Sequence, residues 1–136
     1  MRVTLVILLA VVSLTACKKY DEGPSISLLS KKARLTGEWE AARCYLNGEQ
    51  LQLSNKEEMT VDKNGTFTKS YLIGTNSYNT AGNWEFSEDK ESLLFTFSTS
   101  TSETWVIKKL TNKQMFIETT LTTGSVVRYE YAKKIK

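Results

Sequence analysis

Leu35-Thr36-Gly37-Glu38-Trp39-Glu40-Ala41 is the stretch that decides the fold of this 136-residue chain. Trp39 lies between Glu38 and Glu40, and this alternation of apolar and charged side chains is typical of a strand with one buried face. No helical period follows, the single proline is Pro24, and β-branched and aromatic residues dominate the later apolar runs. The sequence therefore predicts an all-β domain that begins with this stretch.

Turn-forming residues divide the rest of the chain into short strands. Asn47-Gly48 is favoured in type I′ hairpin turns, because both central residues of such a turn need a positive φ. Asp62-Lys63-Asn64-Gly65 separates two further apolar runs. Three more breaks follow at residues 87–91, 111–113 and 122–124. Eight or nine short antiparallel strands are predicted.

So many strands in one open sheet would leave two long edges and one exposed apolar face, so we expect closure into a barrel or a sandwich. Sequential hairpins without a long crossover favour an up-and-down antiparallel β-barrel. The crowded aromatic side chains favour a filled lumen over a roomy pocket, although an eight-stranded barrel can also hold one small ligand. Alternation predicts that these side chains face the lumen: Trp39, Tyr45, Phe67, Tyr71, Trp84, Phe86, Phe95, Phe97, Trp105, Ile107, Val127, Tyr129 and Tyr131.

The first predicted strand resembles the start of lipocalin-like proteins, in which Gly-x-Trp follows a short N-terminal turn. Gly37 and Trp39 match that motif. The resemblance implies a lipocalin-like barrel that binds a small apolar or amphiphilic molecule, so aromatic side chains of the lumen are candidate contacts. The candidate ligand-binding residues are Trp39, Tyr71, Trp84, Phe97, Trp105 and Tyr129.

Two considerations place the mouth of such a barrel at different ends. If the strands alternate in direction, the Ser-, Thr- and Asn-rich residues 73–82 and 98–103 lie at the same end as the N-terminal turn. The resemblance to lipocalins implies a mouth at the opposite end, near Asn47-Gly48 and Asn64-Gly65. The sequence leaves the mouth unassigned.

The N-terminal segment is predicted to be a secretion signal. Arg2 supplies a positive start, residues 3–12 are almost unbroken aliphatic, and residues 13–16 are mostly small. Lys18-Lys19 ends the apolar run short of the roughly 20 residues that a membrane-spanning helix needs. We therefore expect cleavage rather than a transmembrane helix.

Leu14-Thr15-Ala16-Cys17 resembles the lipobox of bacterial lipoproteins. The resemblance implies that Cys17 is acylated with palmitate-like chains, and that the protein is anchored at the cell envelope in the outer membrane, since Lys18 follows the cysteine. The anchor would lie on the periplasmic or the cell-surface face. Two or three acyl chains, at about 0.8 kcal/mol per buried methylene, would hold a small domain at a bilayer. The predicted units are a signal peptide over residues 1–16, the lipidated cysteine with a tether and short helix over residues 17–34, and the barrel over residues 35–136.

The tether is predicted to be flexible at first and helical at its end. Ser27 could cap a short helix whose Leu28, Leu29 and Leu35 face inward. Residues 18–34 carry five basic and two acidic side chains, whereas residues 35–136 carry twelve basic and thirteen acidic ones. The excess positive charge suits anionic headgroups and argues against a nucleic-acid groove on the domain, and a merely solvated linker is the alternative.

Patterns for catalysis and metal binding are not found in the sequence. The chain has no histidine, which removes the commonest general base and zinc ligand. Glu38 and Glu40 are expected to face solvent, and residues 62–65 lack the later ligands of a calcium loop. Cys44 is left without an intramolecular partner once Cys17 carries lipid, and is expected to be a small buried side chain. We expect no enzyme activity, catalytic residue, metal site or cofactor.

Arg43 and Lys69 fall on positions that alternation would turn inward. Either they contact a polar ligand, or a β-bulge or a solvated rim position takes them out of the lumen. The bulge or the rim is the favoured interpretation.

The expected function is non-enzymatic binding of a small hydrophobic or amphiphilic ligand by a membrane-anchored barrel at the cell envelope. The alternative is an interaction module of the outer membrane, with a filled barrel and no ligand, that binds a partner protein or a polysaccharide.

Overall fold

The structure is a computed structural model that describes residues 28–135. The predictions for the signal peptide, for lipidation at Cys17 and for most of the tether lie outside these residues. Within residues 28–135, no helix has both the length and the apolar character needed to cross a membrane.

A short helix precedes the strands. Helix α1 spans Lys31–Leu35, and its N-cap is Ser30, whose hydroxyl oxygen accepts a hydrogen bond from the Ala33 amide at 3.1 Å. Such a cap satisfies a backbone donor that the first helical turn leaves without a partner. The predicted cap, Ser27, lies outside the described residues, and the helix begins three residues later than a Ser27 cap would allow.

The three leucines around this helix have different environments. Leu35 is completely buried, whereas Leu28 and Leu29 are exposed. The expectation that all three face inward is therefore wrong for Leu28 and Leu29, because both precede the helix. Leu35 closes one end of the domain, where its carbonyl oxygen accepts a hydrogen bond from the Trp39 indole at 2.8 Å.

Nine antiparallel strands follow the helix, and each predicted turn separates two of them. Asn47 and Gly48 both have the positive φ that a type I′ turn needs, at 51° and 85°. The strands are β1 (Gly37–Leu46), β2 (Glu49–Leu51), β3 (Lys56–Val61), β4 (Thr66–Ile73), β5 (Asn76–Phe86), β6 (Ser92–Phe97), β7 (Ser102–Leu110), β8 (Gln114–Thr120) and β9 (Val126–Lys133).

The sheet closes on itself. Neighbours in sequence pair from β3 to β9, and β1 pairs with both β3 and β9. Closure gives each of these eight strands a partner on both sides over at least part of its length, which reduces the edge problem of an open sheet. The predicted all-β, up-and-down antiparallel barrel with a short N-terminal helix is thus confirmed, with β2 as one extra strand.

The extra strand changes the direction count. β2 pairs with the second half of β1 and β3 with the first half, both antiparallel and both on the side of β1 that β9 does not occupy. β2 and β3 therefore act as one interrupted strand. If β2 and β3 are instead counted as two strands of opposite direction, every later turn is assigned to the wrong end of the barrel.

The two ends of the barrel are consequently assigned as follows. The helix end carries α1 and the turns at residues 62–65, 87–91 and 111–113, and the opposite end, called the open end, carries those at 47–48, 74–75, 98–101 and 121–125. Residues 73–82 and 98–103 were expected beside the helix, but they surround the open end. Asn47-Gly48 and Asn64-Gly65 were expected at the same end of the barrel. The first lies at the open end and the second at the helix end. Both errors have the same cause, the interrupted strand.

A β-bulge in β1 corrects one predicted lumen residue. The register with β9 shifts between Ala41 and Arg43, so Arg43 pairs with Glu130 and Tyr45 with Arg128 on the outer wall. Tyr45 was expected in the lumen, and this is wrong because the extra residue of a bulge reverses the alternation beyond it. For Arg43 the bulge interpretation is confirmed, and its Nε lies 2.7 Å from the Glu130 carboxylate.

Apolar and aromatic side chains form one continuous cluster inside the barrel. Phe67 and Phe95 meet edge to face with ring centroids 4.9 Å apart. Such edge-to-face pairs stabilise a core beyond the area they bury. The interior cluster comprises Leu35, Trp39, Met59, Val61, Phe67, Trp84, Leu93, Phe95, Trp105, Ile107, Leu110, Met115, Ile117 and Tyr131, with Ala41, Phe86, Phe97, Val127 and Tyr129 packed against it.

Candidate functional site in the open half of the barrel

The half of the interior toward the open end contains a group of polar side chains, whereas the half toward α1 is mainly apolar. We call this set the open-half cluster, and it is defined by the inward-facing residues Cys44, Glu57, Lys69, Tyr71, Trp105, Tyr129 and Tyr131. Strands β1, β3, β4, β7 and β9 position it.

Lys69 projects into the barrel from β4. Residues 66–73 pair with β3 and β5 without a register shift, so Lys69 shares the inward face of Phe67 and Tyr71. Lys69 is 4% exposed, and its ammonium lies 5.6 Å from the ring centroids of both Phe95 and Trp105. The expectation that a bulge or a rim position would take Lys69 out of the lumen is wrong, because β4 is regular at this point.

Glu57 and Tyr131 form a hydrogen-bonded pair across the interior. The Tyr131 hydroxyl donates to the Glu57 carboxylate, and both residues are buried. Burial raises the pKa of Tyr131 well above its usual value, and the adjacent Glu57 carboxylate raises it further. Tyr131 is therefore a neutral donor that holds one carboxylate oxygen in place.

The other tyrosines and the cysteine of the cluster are also kept neutral. Burial, followed by the charges of Glu57 and Glu103, raises the pKa of Tyr71 to about 12. Burial raises the pKa of Tyr129 above its usual value, and Glu57 adds to the effect. Burial likewise raises the pKa of the Cys44 thiol, although its contact with Tyr129 opposes this. At neutral pH these groups can offer hydrogen-bond donors without carrying charge.

A cavity of about 690 Å³ lies at the rim of the open end, between β7 and the segment that joins β8 to β9. Trp105, Thr119 and Val127 line it, and the Trp105 ring centroid also lies 5.6 Å from the Lys69 ammonium. The Trp105 indole donates to the Glu103 carboxylate at 3.0 Å, and its ring lies edge to face with Tyr129 at 5.9 Å. This volume is in the range of small-molecule sites, about 300–1,000 Å³.

The six residues proposed from the sequence as ligand contacts divide between the two halves. Tyr71, Phe97, Trp105 and Tyr129 lie in the open half, on strands β4, β6, β7 and β9. Ligand binding by any of the six stays a prediction.

Trp39 and Trp84 lie instead at the helix end. The Trp84 indole donates to the Asp62 carbonyl oxygen at 2.9 Å, and Trp39 is fully buried beneath the Lys133 ammonium. Their indole N–H groups are already satisfied by backbone carbonyls. Both tryptophans therefore pack the end of the barrel that lies farthest from the rim cavity.

Sequence reasoning did not identify Glu57 as part of this cluster. Glu57 is in phase with Met59 and Val61, so the alternation along β3 carries the information that it faces inward. Because carboxylates are rarely buried, a glutamate at an inward position is readily taken to face solvent.

Two observations concern metal binding. Among residues 28–135, no three Cys, Asp or Glu side chains are grouped closely enough to hold a metal ion. Residues 62–65 form the turn between β3 and β4, where the Gly65 amide donates to the Asp62 carbonyl oxygen at 3.2 Å.

Comparison with solved structures supports the fold. A redesigned β-barrel superimposes with a TM-score of 0.51 and 11% sequence identity, covering 81% of this chain and all of the other. At this identity the likeness concerns the fold alone. No curated protein matches the chain.

Comparison with family models identifies the sequence relationship. The model of the lipocalin-like domain matches residues 35–117, which extend from the end of α1 through β1 into β8. The match includes Gly37 and Trp39 and covers more than half of the chain. This chain therefore belongs to the lipocalin-like domain family.

Proposed function

We propose that this protein is a membrane-anchored, non-enzymatic lipocalin-like lipoprotein that binds a small hydrophobic or amphiphilic molecule at the cell envelope. The observation that carries the proposal is the composition of the open half of the barrel. Tyr71, Phe97 and Tyr129 are only partly buried there. The Lys69 ammonium lies over the buried rings of Phe95 and Trp105, and Trp105 also lines the rim cavity. Ligand sites of proteins are usually apolar surfaces with a few placed polar groups.

Binding is tested with the tryptophan emission of the full chain in phosphatidylcholine vesicles, titrated with medium-chain fatty acids. We expect a saturable shift that disappears in Trp105→Phe, because Trp105 lines the rim cavity. Trp84→Phe is the matched control and should keep the shift, since Trp84 lies at the helix end. A titration that changes neither emission nor heat would contradict ligand binding.

The anchor of the proposed lipoprotein is the acylated Cys17, in the outer membrane. The lipobox resemblance supports it, and the chain enters the described domain beside α1, on the side away from the open end. The test is the intact mass of the membrane-extracted protein. A chain that begins at Cys17 and carries palmitate-like acyl mass is expected, and Cys17→Ser should lose both cleavage and acylation.

A second candidate function is the interaction module, and one observation favours it. The hairpin of β4 and β5 carries large exposed side chains, Leu72, Ile73 and Tyr78, near its turn at Gly74. Exposed apolar side chains grouped on one hairpin are typical of a contact surface. Leu72→Ser with Ile73→Ser should abolish co-purification of a partner protein or polysaccharide from envelopes and leave fatty-acid titrations unchanged.

A further inference from the structure

Lys69 has the environment of a cation that lacks its counterpart. It is 4% exposed, and within residues 28–135 its ammonium makes no hydrogen bond or ion pair, only contacts with the ring faces of Phe95 and Trp105. An ammonium at such a position is costly, because it has three donors, no hydrogen-bond acceptor among residues 28–135 and little water around it. Ring faces offset only part of that cost.

Two carboxylates of the open half each accept a hydrogen bond from a group other than Lys69. Glu57 accepts from the Tyr131 hydroxyl, and Glu103 accepts from the Trp105 indole. Both donors are neutral. Neither carboxylate accepts a hydrogen bond from Lys69, so the ammonium lacks an acceptor among residues 28–135, and this favours a ligand that brings one.

We propose that Lys69 binds the carboxylate of an amphiphilic ligand, whose apolar body lies against the aromatic side chains of the open half. The inference rests on the proposed ligand-binding function and specifies the class of ligand, a monocarboxylate with a single aliphatic chain. Charge-assisted hydrogen bonds to a carboxylate would satisfy the ammonium donors inside a water-poor site. Tyr71 and Tyr129, kept neutral, can add hydroxyl donors without repelling an anion.

A structural role is the rival explanation. Lys69 and Glu57 face the same interior on adjacent strands, so the ammonium could serve only to balance the Glu57 charge through space. In that case, replacing Lys69 would change stability but would not change which headgroup is preferred. Headgroup preference is therefore the decisive measurement.

The experiment titrates decanoate, 1-decanol and decylamine into the full chain in phosphatidylcholine vesicles, with partition into empty vesicles subtracted and tryptophan emission as the readout. Three variants are compared with the parent chain. Lys69→Met removes the charge at similar length, Lys69→Arg keeps it, and Lys63→Met removes an exposed lysine from the turn at the helix end. Urea unfolding establishes that each variant is folded.

We expect decanoate to bind at least tenfold more tightly than decanol, and decylamine to bind most weakly. Lys69→Met should abolish the tenfold preference for the acid while leaving decanol binding within about twofold, and Lys69→Arg and Lys63→Met should retain the preference. Equal binding of decanoate and decanol, or a preference that survives Lys69→Met, overturns the role of Lys69 but leaves ligand binding intact. Absence of binding by all three compounds overturns the proposed function itself.

Discussion

The indole nitrogen of Trp39 donates a hydrogen bond to the carbonyl oxygen of Leu35, 2.8 Å away, at the helix end of the barrel. Both residues are completely buried. The contact joins the first turn of structure in the domain to its first strand, and it gives the Gly-x-Trp motif a physical role. The indole supplies apolar volume for the core and a donor for the last carbonyl of the helix.

Trp39 is therefore expected to be a major determinant of stability. Trp39→Phe should lower the free energy of unfolding by about 1–3 kcal/mol, because the buried Leu35 carbonyl loses its donor. Trp39→Ala should cost about 3–5 kcal/mol, since it also leaves a cavity. Urea unfolding followed by circular dichroism measures both.

Val106→Ala, on the exposed outer wall, is the control and should stay within about 0.5 kcal/mol of the parent. A Trp39→Phe result no larger than this control would disprove the role of the hydrogen bond.

The pair formed by Glu57 and Tyr131 should show strong coupling. Tyr131→Phe leaves the buried carboxylate without this donor, and we expect a loss of about 2 kcal/mol in the free energy of unfolding. Adding Glu57→Leu to Tyr131→Phe should recover part of that loss, because no buried charge then lacks its donor. A double-mutant cycle by urea unfolding measures the coupling, with Tyr78→Phe as an exposed control. Additive effects of the two substitutions would show that the residues act independently.

The free energy of unfolding should fall at alkaline pH, in part because the Tyr71 hydroxyl loses its proton. Its pKa is about 12 in the folded state against an ordinary value of 10.0, so the folded state keeps a proton that the unfolded state has lost. The resulting stabilisation is fully present below pH 10 and is lost as the pH rises toward 12. Urea unfolding across this range should show a shallower decline for Tyr71→Phe than for the parent chain. Parallel declines would contradict burial of the Tyr71 hydroxyl.

Gly82 should tolerate no side chain. A Cβ at this position in β5 would lie 2.0 Å from the Thr96 carbonyl oxygen and 2.9 Å from the Phe97 Cα, both in the backbone of β6. Gly82→Ala must therefore separate two paired strands, at a cost of about 3 kcal/mol or more. Gly74→Ala is the matched control, because it has a positive φ of 62° but open space around it, and should cost about 1 kcal/mol. The two variants are compared by thermal unfolding, and equal costs would refute the steric argument.

The strands and turns were predictable because the signals are local. Asn47-Gly48 and residues 62–65 specify turns by their own backbone preferences, and the aromatic alternation from Phe67 to Phe97 needs no knowledge of the partner strand. The register beyond Ala41 was not predictable in the same way. Arg43 and Tyr45 have amphipathic side chains that suit either face, so the pattern does not reveal that a bulge has moved them outward.

The candidate site was less predictable than the fold. Alternation identified the inward-facing rings, which include Tyr71, Phe97, Trp105 and Tyr129. It did not show at which end of the barrel each ring lies, because that depends on strand direction, and the interruption between β2 and β3 changes the direction of every later strand. Lys69 lies inward because β4 has no bulge there, and its ammonium lies over the rings of Phe95 and Trp105 on two other strands. These contacts exist only in the assembled barrel, so the sequence of β4 alone does not reveal them.

The barrel wall is complete only when β1, the first strand, pairs with β9, the last strand. In this pairing Trp39 is opposite Lys133. Until the last strand has been synthesised, β1 and β8 each present an unpaired edge, and the rings between them face an unfinished wall. A chain truncated before Val126 should therefore aggregate rather than persist as a smaller barrel. The same adjacency brings the start and the finish of the domain together beside the helix, so a circularly permuted chain that joins them and opens at Gly74 should still assemble.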